Sequence, residues 1–211
     1  MKRSFFFIIL LFILASCKTT YITHSWKAAK VQPAHFKKMV VIAIVGEEEK
    51  EARERMEKHM VDDLKALGYN AVCSCEEYGH DTFKGMNEKE VIAKLREEGV
   101  DGILTIVLLD KKKEKRYVPG RAVNVPVFYD YYREVYDRVY TKGYYAENTK
   151  YYWETNLYDL SANSLSFSIN SQSFDPASTE TLAHDYGKLM IKKMLKNKVL
   201  VQQESEALKP M

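Results

Sequence analysis

Residues 38–45, with the sequence KMVVIAIV, form the stretch that decides the fold. The run is continuously apolar and rich in β-branched side chains, which is typical of a strand covered on both faces. Residues 102–109, with the sequence GILTIVLL, have the same character. We therefore predict two buried core strands at these positions.

Helices and a short strand are predicted between these two runs. In residues 47–67 the apolar side chains recur every three or four positions, and Gly68 is well placed to end the helix. Residues 69–74 then predict a short strand. Asn87 and Glu90 have the spacing of a capping box at the start of a second helix. This β-α-β-α-β order favours right-handed crossovers in a partly parallel sheet.

The second half of the chain has the pattern of antiparallel strands. Residues 127–140 and 150–158 are rich in aromatic and β-branched side chains, and turns are expected at residues 142–143 and 147–148. In residues 164–170 apolar and polar side chains alternate. This alternation predicts a strand with one face in the core and the other in solvent.

Together these patterns predict one α/β (α+β) domain over residues 38–200. Its β-α-β-α-β first half is followed by an antiparallel meander and a C-terminal helix around one mixed sheet. We expect Asp175 and Pro176 to open that helix. Residues 17–37 lack periodicity and predict a tether, whereas residues 201–211 predict a flexible tail.

The start of the chain has the pattern of a signal peptide over residues 1–16. Lys2 and Arg3 precede an apolar run at residues 5–15, which is shorter than the roughly twenty residues a membrane-spanning helix needs. The sequence LASC at residues 14–17 resembles the lipobox of bacterial lipoproteins, in which the cysteine becomes the lipid-bearing first residue. The alternative is an ordinary signal peptide with a cysteine near its cleavage site.

Lipidation of Cys17 predicts a stable membrane anchor, because several acyl chains hold a protein where one chain holds it only marginally. Lys18 follows the cysteine, at the position where an acidic residue usually favours retention of such lipoproteins at the inner membrane. We therefore expect an outer-membrane protein that faces the periplasm. The membrane is then one partner of the domain, through the lipid on Cys17.

Charge and cysteine content exclude two further classes of protein. The chain has 32 basic and 29 acidic side chains, and removal of the signal takes away two of the basic ones, Lys2 and Arg3. A mature chain this close to neutrality is not expected to bind nucleic acid. The 3 cysteines are too few for a disulfide-framework protein.

The tyrosine-rich segment is the first candidate binding face. Of the chain's 15 tyrosines, 11 lie between Tyr117 and Tyr158. Aromatic side chains with a polar tip are over-represented at interfaces, but they equally suit strand surfaces and cross-strand pairs. The candidate face consists of Tyr129, Tyr131, Tyr132, Tyr136, Tyr140, Tyr144, Tyr145, Tyr151, Tyr152 and Trp153.

A basic run at residues 111–116 is a second candidate, because a cationic loop there could contact anionic lipid or an acidic partner. A solvated loop without a partner is the alternative. The cations of this predicted contact loop are Lys111, Lys112, Lys113, Lys115 and Arg116.

Cys73 and Cys75 would lie on the same face of a strand, with His80 nearby in the sequence. Two thiolates and an imidazole could hold a soft metal ion, although this spacing is not the usual one for zinc. A local disulfide is a second possibility. We favour two small buried side chains, and we predict no metal and no other cofactor.

Sequence motifs give no support for catalysis. His184 and Asp185 are adjacent, but neighbouring residues of a helix point in different directions, and the chain has no nucleophile elbow, phosphate loop or metalloprotease helix motif. We therefore predict that the protein is not an enzyme.

Several of these segments together resemble a known group of proteins. They are the strand at residues 39–45, the charged helix ending at Gly68, the sequence GVDGIL at residues 99–104 and the ending over residues 157–176. The chain resembles small bacterial envelope lipoproteins, many of unknown function. Their α/β fold is similar to the amino-terminal domain of TolB and to the periplasmic domain of the curli secretion lipoprotein.

This resemblance implies an accessory role in the cell envelope and carries over no catalytic position. We expect a lipid-anchored, non-catalytic binding or assembly module with an envelope protein as its partner. The alternative is a periplasmic lipoprotein that binds a small ligand or sugar through the tyrosine-rich strands. The sequence leaves the oligomeric state open.

Overall fold

In the computed structural model, residues 19–203 are described except for residues 30, 34, 80, 81, 84 and 119–143. These residues form one mixed six-stranded sheet and four α-helices. The strands are β1 (Thr20–Lys27), β2 (Met39–Ile44), β3 (Ala71–Cys73), β4 (Gly102–Val118), β5 (Tyr144–Asp159) and β6 (Ser164–Phe174). The helices are α1 (Lys50–Ala66), α2 (Ser74–Glu77), α3 (Glu88–Glu97) and α4 (Thr179–Lys196).

The strand order is β1-β6-β5-β4-β2-β3. The first half of the chain supplies the parallel part, since β2 pairs in parallel with both β3 and β4. The other pairs are antiparallel. The predicted α/β class, with a mixed sheet and a C-terminal helix, is confirmed.

Helix α1 follows a short 3₁₀ turn at Glu47–Glu49 and has the predicted amphipathic pattern. Its Met56, Met60 and Leu64 are buried against the sheet. The chain then turns at Gly68, whose φ of +88° lies in the left-handed region that glycine adopts without a Cβ clash.

Helix α3 has the predicted capping box. The Asn87 side chain accepts a hydrogen bond from the Glu90 amide at 3.1 Å, and the Asn87 amide donates to the Glu90 carboxylate at 2.9 Å. Two donors at the helix start are therefore satisfied reciprocally.

Two hydrophobic clusters form on opposite faces of the sheet. The larger one lies between the sheet and the helices α1 and α4, and it includes Trp153, Phe167 and Met190. The smaller one lies under α3 and includes Val40 and Leu95. Among the described residues, α1 and α4 thus cover one face of the sheet, whereas α3 covers only part of the other.

The predicted tether at residues 17–37 is wrong in its central part, because Thr20–Lys27 is a strand of the sheet. β1 pairs antiparallel with β6, and the Thr20 hydroxyl shares a buried hydrogen bond with Ser173 at 2.9 Å. β1 is an edge strand that buries little beyond Thr20, so the apolar periodicity that marks a core strand is absent. The folded domain therefore begins well before residue 38.

The predicted flexible tail is also wrong at its start. The Val201 amide donates to the Tyr69 hydroxyl at 3.1 Å, and the Gln203 amide donates to the Leu67 carbonyl at 2.8 Å. Residues 201–203 are thus bound to the end of α1, and residues 204–211 lie outside the described part of the chain.

The last helix starts later than predicted. Ser178 caps α4 by accepting a hydrogen bond from the Thr181 amide at 3.1 Å, so Pro176 precedes the helix. Asp175 has a φ of 44°, a left-handed turn between β6 and α4. The cap, rather than the proline, sets the helix start.

β4 and β5 are longer than predicted, and they pair from Gly102 opposite Asp159 to Val118 opposite Tyr144. The predicted turn at residues 147–148 and the predicted loop at residues 111–116 therefore lie inside strands. Opposite charges across the ladder offset the weak strand propensity of these segments. The predicted strand at residues 127–140 and the turn at residues 142–143 fall outside the described residues.

Candidate functional site

The partly covered face of the sheet is the candidate site. Residues directly opposite each other in a ladder share a face, so the register defines three rows across β5, β6 and β1. We call these nine side chains the open face: Tyr152, Gln172 and Tyr21; Glu154, Asn170 and His24; Asn156, Ser168 and Trp26.

The middle of the open face is a hydrogen-bonded polar group. The Glu154 carboxylate accepts from the Asn156 amide at 2.8 Å and from the Asn170 amide at 3.3 Å. All three side chains are at least half-buried, so this carboxylate is held in place by neighbours on two strands. Such fixed polar groups can orient a bound molecule.

Exposed aromatic side chains border this polar group. Tyr21 is 51% exposed and Trp26 is 47% exposed, which is unusual for side chains of this size. The Tyr21 hydroxyl donates to Gln172. The Lys112 ammonium lies 5.3 Å from the centre of the half-buried Tyr152 ring, a cation–π distance.

Two cavities lie at the end of the sheet near the turn between β5 and β6. One of about 340 Å³ is lined mainly by apolar side chains of α3 and the sheet, including Ile42 and Leu95. The other, of about 420 Å³, lies beside residues 28–33. Asp159 and Ser164 line both cavities, so the two spaces adjoin.

The structure separates the members of the predicted tyrosine face. Trp153 is only 1% exposed and packs between the Tyr151 and Tyr186 rings, with centroids 5.8 and 5.6 Å away, so its assignment to a binding face is wrong. Tyr151 lies on the same covered face, because strand neighbours alternate and only Tyr152 points to the open face. Outside the described residues lie Tyr129, Tyr131, Tyr132, Tyr136 and Tyr140, and the side chains of Tyr144 and Tyr145.

Sequence reasoning missed the two most exposed aromatics of the open face, Tyr21 and Trp26. The segment TYITHSWK at residues 20–27 does contain β-branched and aromatic residues, which is a strand signal. This signal is weak because the segment has no continuous apolar face of its own.

The predicted basic contact loop is part of a strand, and most of its charges are paired. Lys111 forms an ion pair with Glu49, and the hydrogen bond to that carboxylate raises the pKa of Lys111. Lys112 and Lys115 lie 3.4 Å from Asp110 and Glu147, respectively. Lys113 is exposed, and the side chain of Arg116 lies outside the described residues.

His184 and Asp185 contact different neighbours. His184 is exposed on α4, and its ring lies 5.8 Å from that of His59. Asp185 is half-buried and accepts a hydrogen bond from Thr19 at 3.5 Å. That the protein is not an enzyme stays a prediction.

Cys73 and Cys75 form a disulfide, with their Cα atoms 5.2 Å apart. Cys73 ends β3 and Cys75 lies in α2, so the expectation of two unbridged thiols on one strand is wrong. A loop this short gives a disulfide only about 1.6 kcal/mol in the chain-entropy model. His80, the third member of the weak metal candidate, lies outside the described residues.

Glu57 lies directly beside this disulfide and is 1% exposed. Its carboxylate accepts hydrogen bonds from the Ala43 amide at 2.7 Å, the Ser74 hydroxyl at 3.0 Å and the Cys75 amide at 2.9 Å. The Cys73 sulfur lies 2.9 Å from the same carboxylate. Burial raises the pKa of Glu57 above its ordinary value of 4.5, and the hydrogen bonds oppose that rise.

Glu57, Cys73 and Cys75 bring one oxygen and two sulfur atoms within 4.8 Å of one another. Metal binding by cysteine requires thiolates, and the disulfide removes both. We therefore do not assign these residues to a metal site.

The fold defines an α/β domain with one mixed six-stranded sheet. Within the described part of the chain, no helix is both long and apolar enough to cross a membrane. No protein-family model and no curated protein sequence matches the chain.

Solved structures with a partial likeness to the chain include two of PelC and one of a lipoprotein. A PelC dodecamer from Paraburkholderia phytofirmans has a TM-score of 0.43 at 13% identity, covering 87% of this chain and 99% of that one. A point variant of the same dodecamer gives 0.44 at 14% identity over 88% and 99% of the two chains. Lipoprotein GNA1162 from Neisseria meningitidis gives 0.45 at 11% identity over 76% and 99%.

Scores of this size carry no conclusion about activity, assembly or location. The expected resemblance to the TolB and curli secretion domains stays a prediction.

Proposed function

We propose that this protein is a non-catalytic binding module of the cell envelope, anchored by lipid on Cys17 in the outer membrane and facing the periplasm. Its partner is another envelope protein, and the open face is the surface that binds it. The observation that carries the proposal is the combination of exposed Tyr21 and Trp26 with the fixed Glu154 carboxylate on the sheet face that the described residues cover only in part.

The shape of the open face favours a protein over a small molecule. It is a surface three strands wide, whereas small-ligand sites are concave and enclose most of their ligand. Tyrosine and tryptophan are enriched in protein interfaces and often supply much of the binding energy. The amide groups of Asn156 and Asn170 already hold the carboxylate, which lowers the cost of ordering it on binding.

Crosslinking in intact envelopes followed by recovery of the full chain tests this proposal. The variant carries Tyr21→Ser and Trp26→Ser, which remove the exposed aromatics at the sheet edge. The matched control is Met86→Ser, which removes a 40% exposed apolar side chain far along the chain from β1. We expect one defined crosslinked protein in the wild type and in the control, and its loss in the double variant.

An unchanged crosslinked protein in the double variant would contradict the proposed surface. Folding of each variant is checked by its thermal unfolding midpoint, so that loss of the partner is not confused with loss of the fold. The anchor is tested separately by Cys17→Ser, which should abolish labelling with a radioactive fatty acid. Continued labelling would contradict lipidation at this cysteine.

The two adjoining cavities favour a second candidate function, the binding of a small ligand or sugar. Their volumes of about 340 and 420 Å³ lie in the usual range for ligand sites. Thermal unfolding with envelope oligosaccharides tests it, because a ligand at a hundred times its Kd stabilises the fold by about 2.7 kcal/mol. Ser164→Trp places a large ring where the two cavities adjoin, and it should remove this gain in stability. No gain in the wild type would reject this candidate.

A further inference from the structure

The Cys73–Cys75 disulfide has features of a reactive site that are independent of the open face. We propose that it is a thiol–disulfide exchange site whose co-reactant is a dithiol, with Glu57 as the proton donor and acceptor for Cys73. The site lies at the junction of β3 and α2, beside α1.

The two sulfurs differ in access, and this sets the direction of attack. Cys73 is 3% exposed, whereas Cys75 is only half-buried and is the more accessible residue of the two. An incoming thiolate therefore reaches Cys75, and Cys73 becomes the leaving group. In exchange reactions the choice of the attacked sulfur and the stability of the leaving thiolate govern the rate.

Glu57 is placed to serve that leaving group. Its carboxylate has four contacts. Three are hydrogen bonds from two backbone amides and the Ser74 hydroxyl, and the fourth is the Cys73 sulfur at 2.9 Å. Burial raises the pKa of Glu57, which keeps a proton available next to the sulfur closer to neutral pH than an exposed carboxyl would.

Arg53 is the charged group that faces Glu57, and it lies one helical turn earlier on α1. Its charge lowers the pKa of Glu57, against the effect of burial. Two of its nitrogens are buried without a hydrogen-bond partner among the described residues.

In the reducing direction the exchange has two steps. The first thiolate of the dithiol attacks the Cys75 sulfur, the bond between the two cysteines breaks, and Cys73 takes the electron pair and a proton from Glu57. The second thiolate then attacks the sulfur of its own molecule, which releases Cys75 as a thiolate that takes a proton from water. The dithiol is oxidised to a disulfide by two electrons, and Glu57 regains its proton from water.

Reaction of the full chain with reduced glutathione, followed by peptide mass spectrometry, tests the first step. Glutathione has one thiol, so it cannot resolve the mixed disulfide within one molecule, and quenching the reaction early with acid traps the adduct before a second glutathione attacks it. We expect the adduct on Cys75, with an unchanged circular dichroism spectrum. An adduct on Cys73, or reaction only after unfolding in urea, would overturn the proposal.

Glu57→Gln tests the proton transfer. We expect the rate of adduct formation to fall by about a hundredfold, the lower end for loss of a general acid. The control is Glu76→Gln, which changes an exposed carboxylate of α2 and should leave the rate unchanged. Equal rates for Glu57→Gln and the wild type would overturn the role of Glu57.

The pH profile of the wild type provides a measurement that does not depend on the folding of a variant. As pH rises, the rate should first increase in proportion to the thiolate fraction of glutathione. Once Glu57 has lost its proton, the rate should be lower than this proportion predicts. A rate that follows the thiolate fraction alone across the whole range would overturn proton donation by Glu57.

Discussion

Replacement of Glu57 by glutamine should destabilise the fold in a way that depends on pH. In the wild type both carboxylate oxygens accept hydrogen bonds from buried groups. Glutamine keeps the acceptor for the Ala43 amide and the Ser74 hydroxyl, but its amide nitrogen faces the Cys75 amide, and both are donors. One buried donor is then unsatisfied, which costs about 1–3 kcal/mol.

The sign of the pH dependence follows from the raised pKa of Glu57. The pKa of Glu57 is higher in the folded state than its unfolded value near 4.5, so protonation of Glu57 stabilises the fold. This contribution is fully present below the unfolded pKa and is lost as pH rises through the folded pKa. Glutamine does not titrate. The loss in free energy of unfolding of Glu57→Gln, relative to the wild type, should therefore be largest below pH 4.5 and smaller at neutral pH.

Urea unfolding of both proteins without reductant, at several pH values, measures this difference. The other titrating groups, such as Glu98 and Glu180 with their lowered pKa values, are common to both proteins and cancel. A deficit of 1–3 kcal/mol corresponds to a lower melting temperature by about 2–12 °C. A deficit that grows with pH would refute the reasoning.

Three further substitutions have expected outcomes that unfolding experiments can check. Trp153→Ala should lower the free energy of unfolding by about 3–5 kcal/mol, because the ring is fully enclosed, and a loss below 1 kcal/mol would place Trp153 outside the core. Tyr186→Phe should cost about 1–2 kcal/mol, because the buried Thr155 hydroxyl loses its partner; a neutral effect in urea would argue against that bond. Gly102→Ala should cost about 1–3 kcal/mol by calorimetry, since its Cβ would lie 2.7 Å from the Phe36 ring, and a stabilised variant would contradict this packing.

The parts of the fold that the sequence predicts are those with a strong local pattern. The strand at residues 39–44 and the helix α1 have complete apolar periodicity, and the capping box of Asn87 is a local signal at fixed spacing. Each of these elements is determined mainly by side chains within a few positions of one another. Their existence was therefore predictable without knowledge of the tertiary structure.

The elements that the sequence did not predict depend on distant partners. β1 exists because the edge of β6 offers it a ladder about 150 residues away, as the pairing of Thr20 with Ser173 illustrates. The lysine-rich end of β4 is a strand because β5 pairs with it, and Lys150 and Glu114 join the two at 2.8 Å. Non-local pairing of this kind leaves little trace in a single sequence.

The candidate site was predictable only in part for the same reason. The composition pointed to aromatic strands, and Tyr152 does lie on the open face. Trp153 could not be assigned to its face without the packing of α4 against the sheet, since alternation alone does not say which side is covered. Tyr21 and Trp26 belong to the open face only because β1 pairs with β6 and extends the sheet.

If Cys17 carries the predicted lipid, the position of β1 limits how far the domain can stand from the membrane. Thr20 comes three residues after Cys17, and three residues of extended chain reach at most about 10 Å. Thr20 also lies in one cross-strand row with Ser173, Tyr151 and Lys111, so the outer half of the β4–β5 ladder extends past the start of β1. With such an anchor, we expect the start of β1 and this outer part of the ladder to be the part of the domain nearest the lipid headgroups.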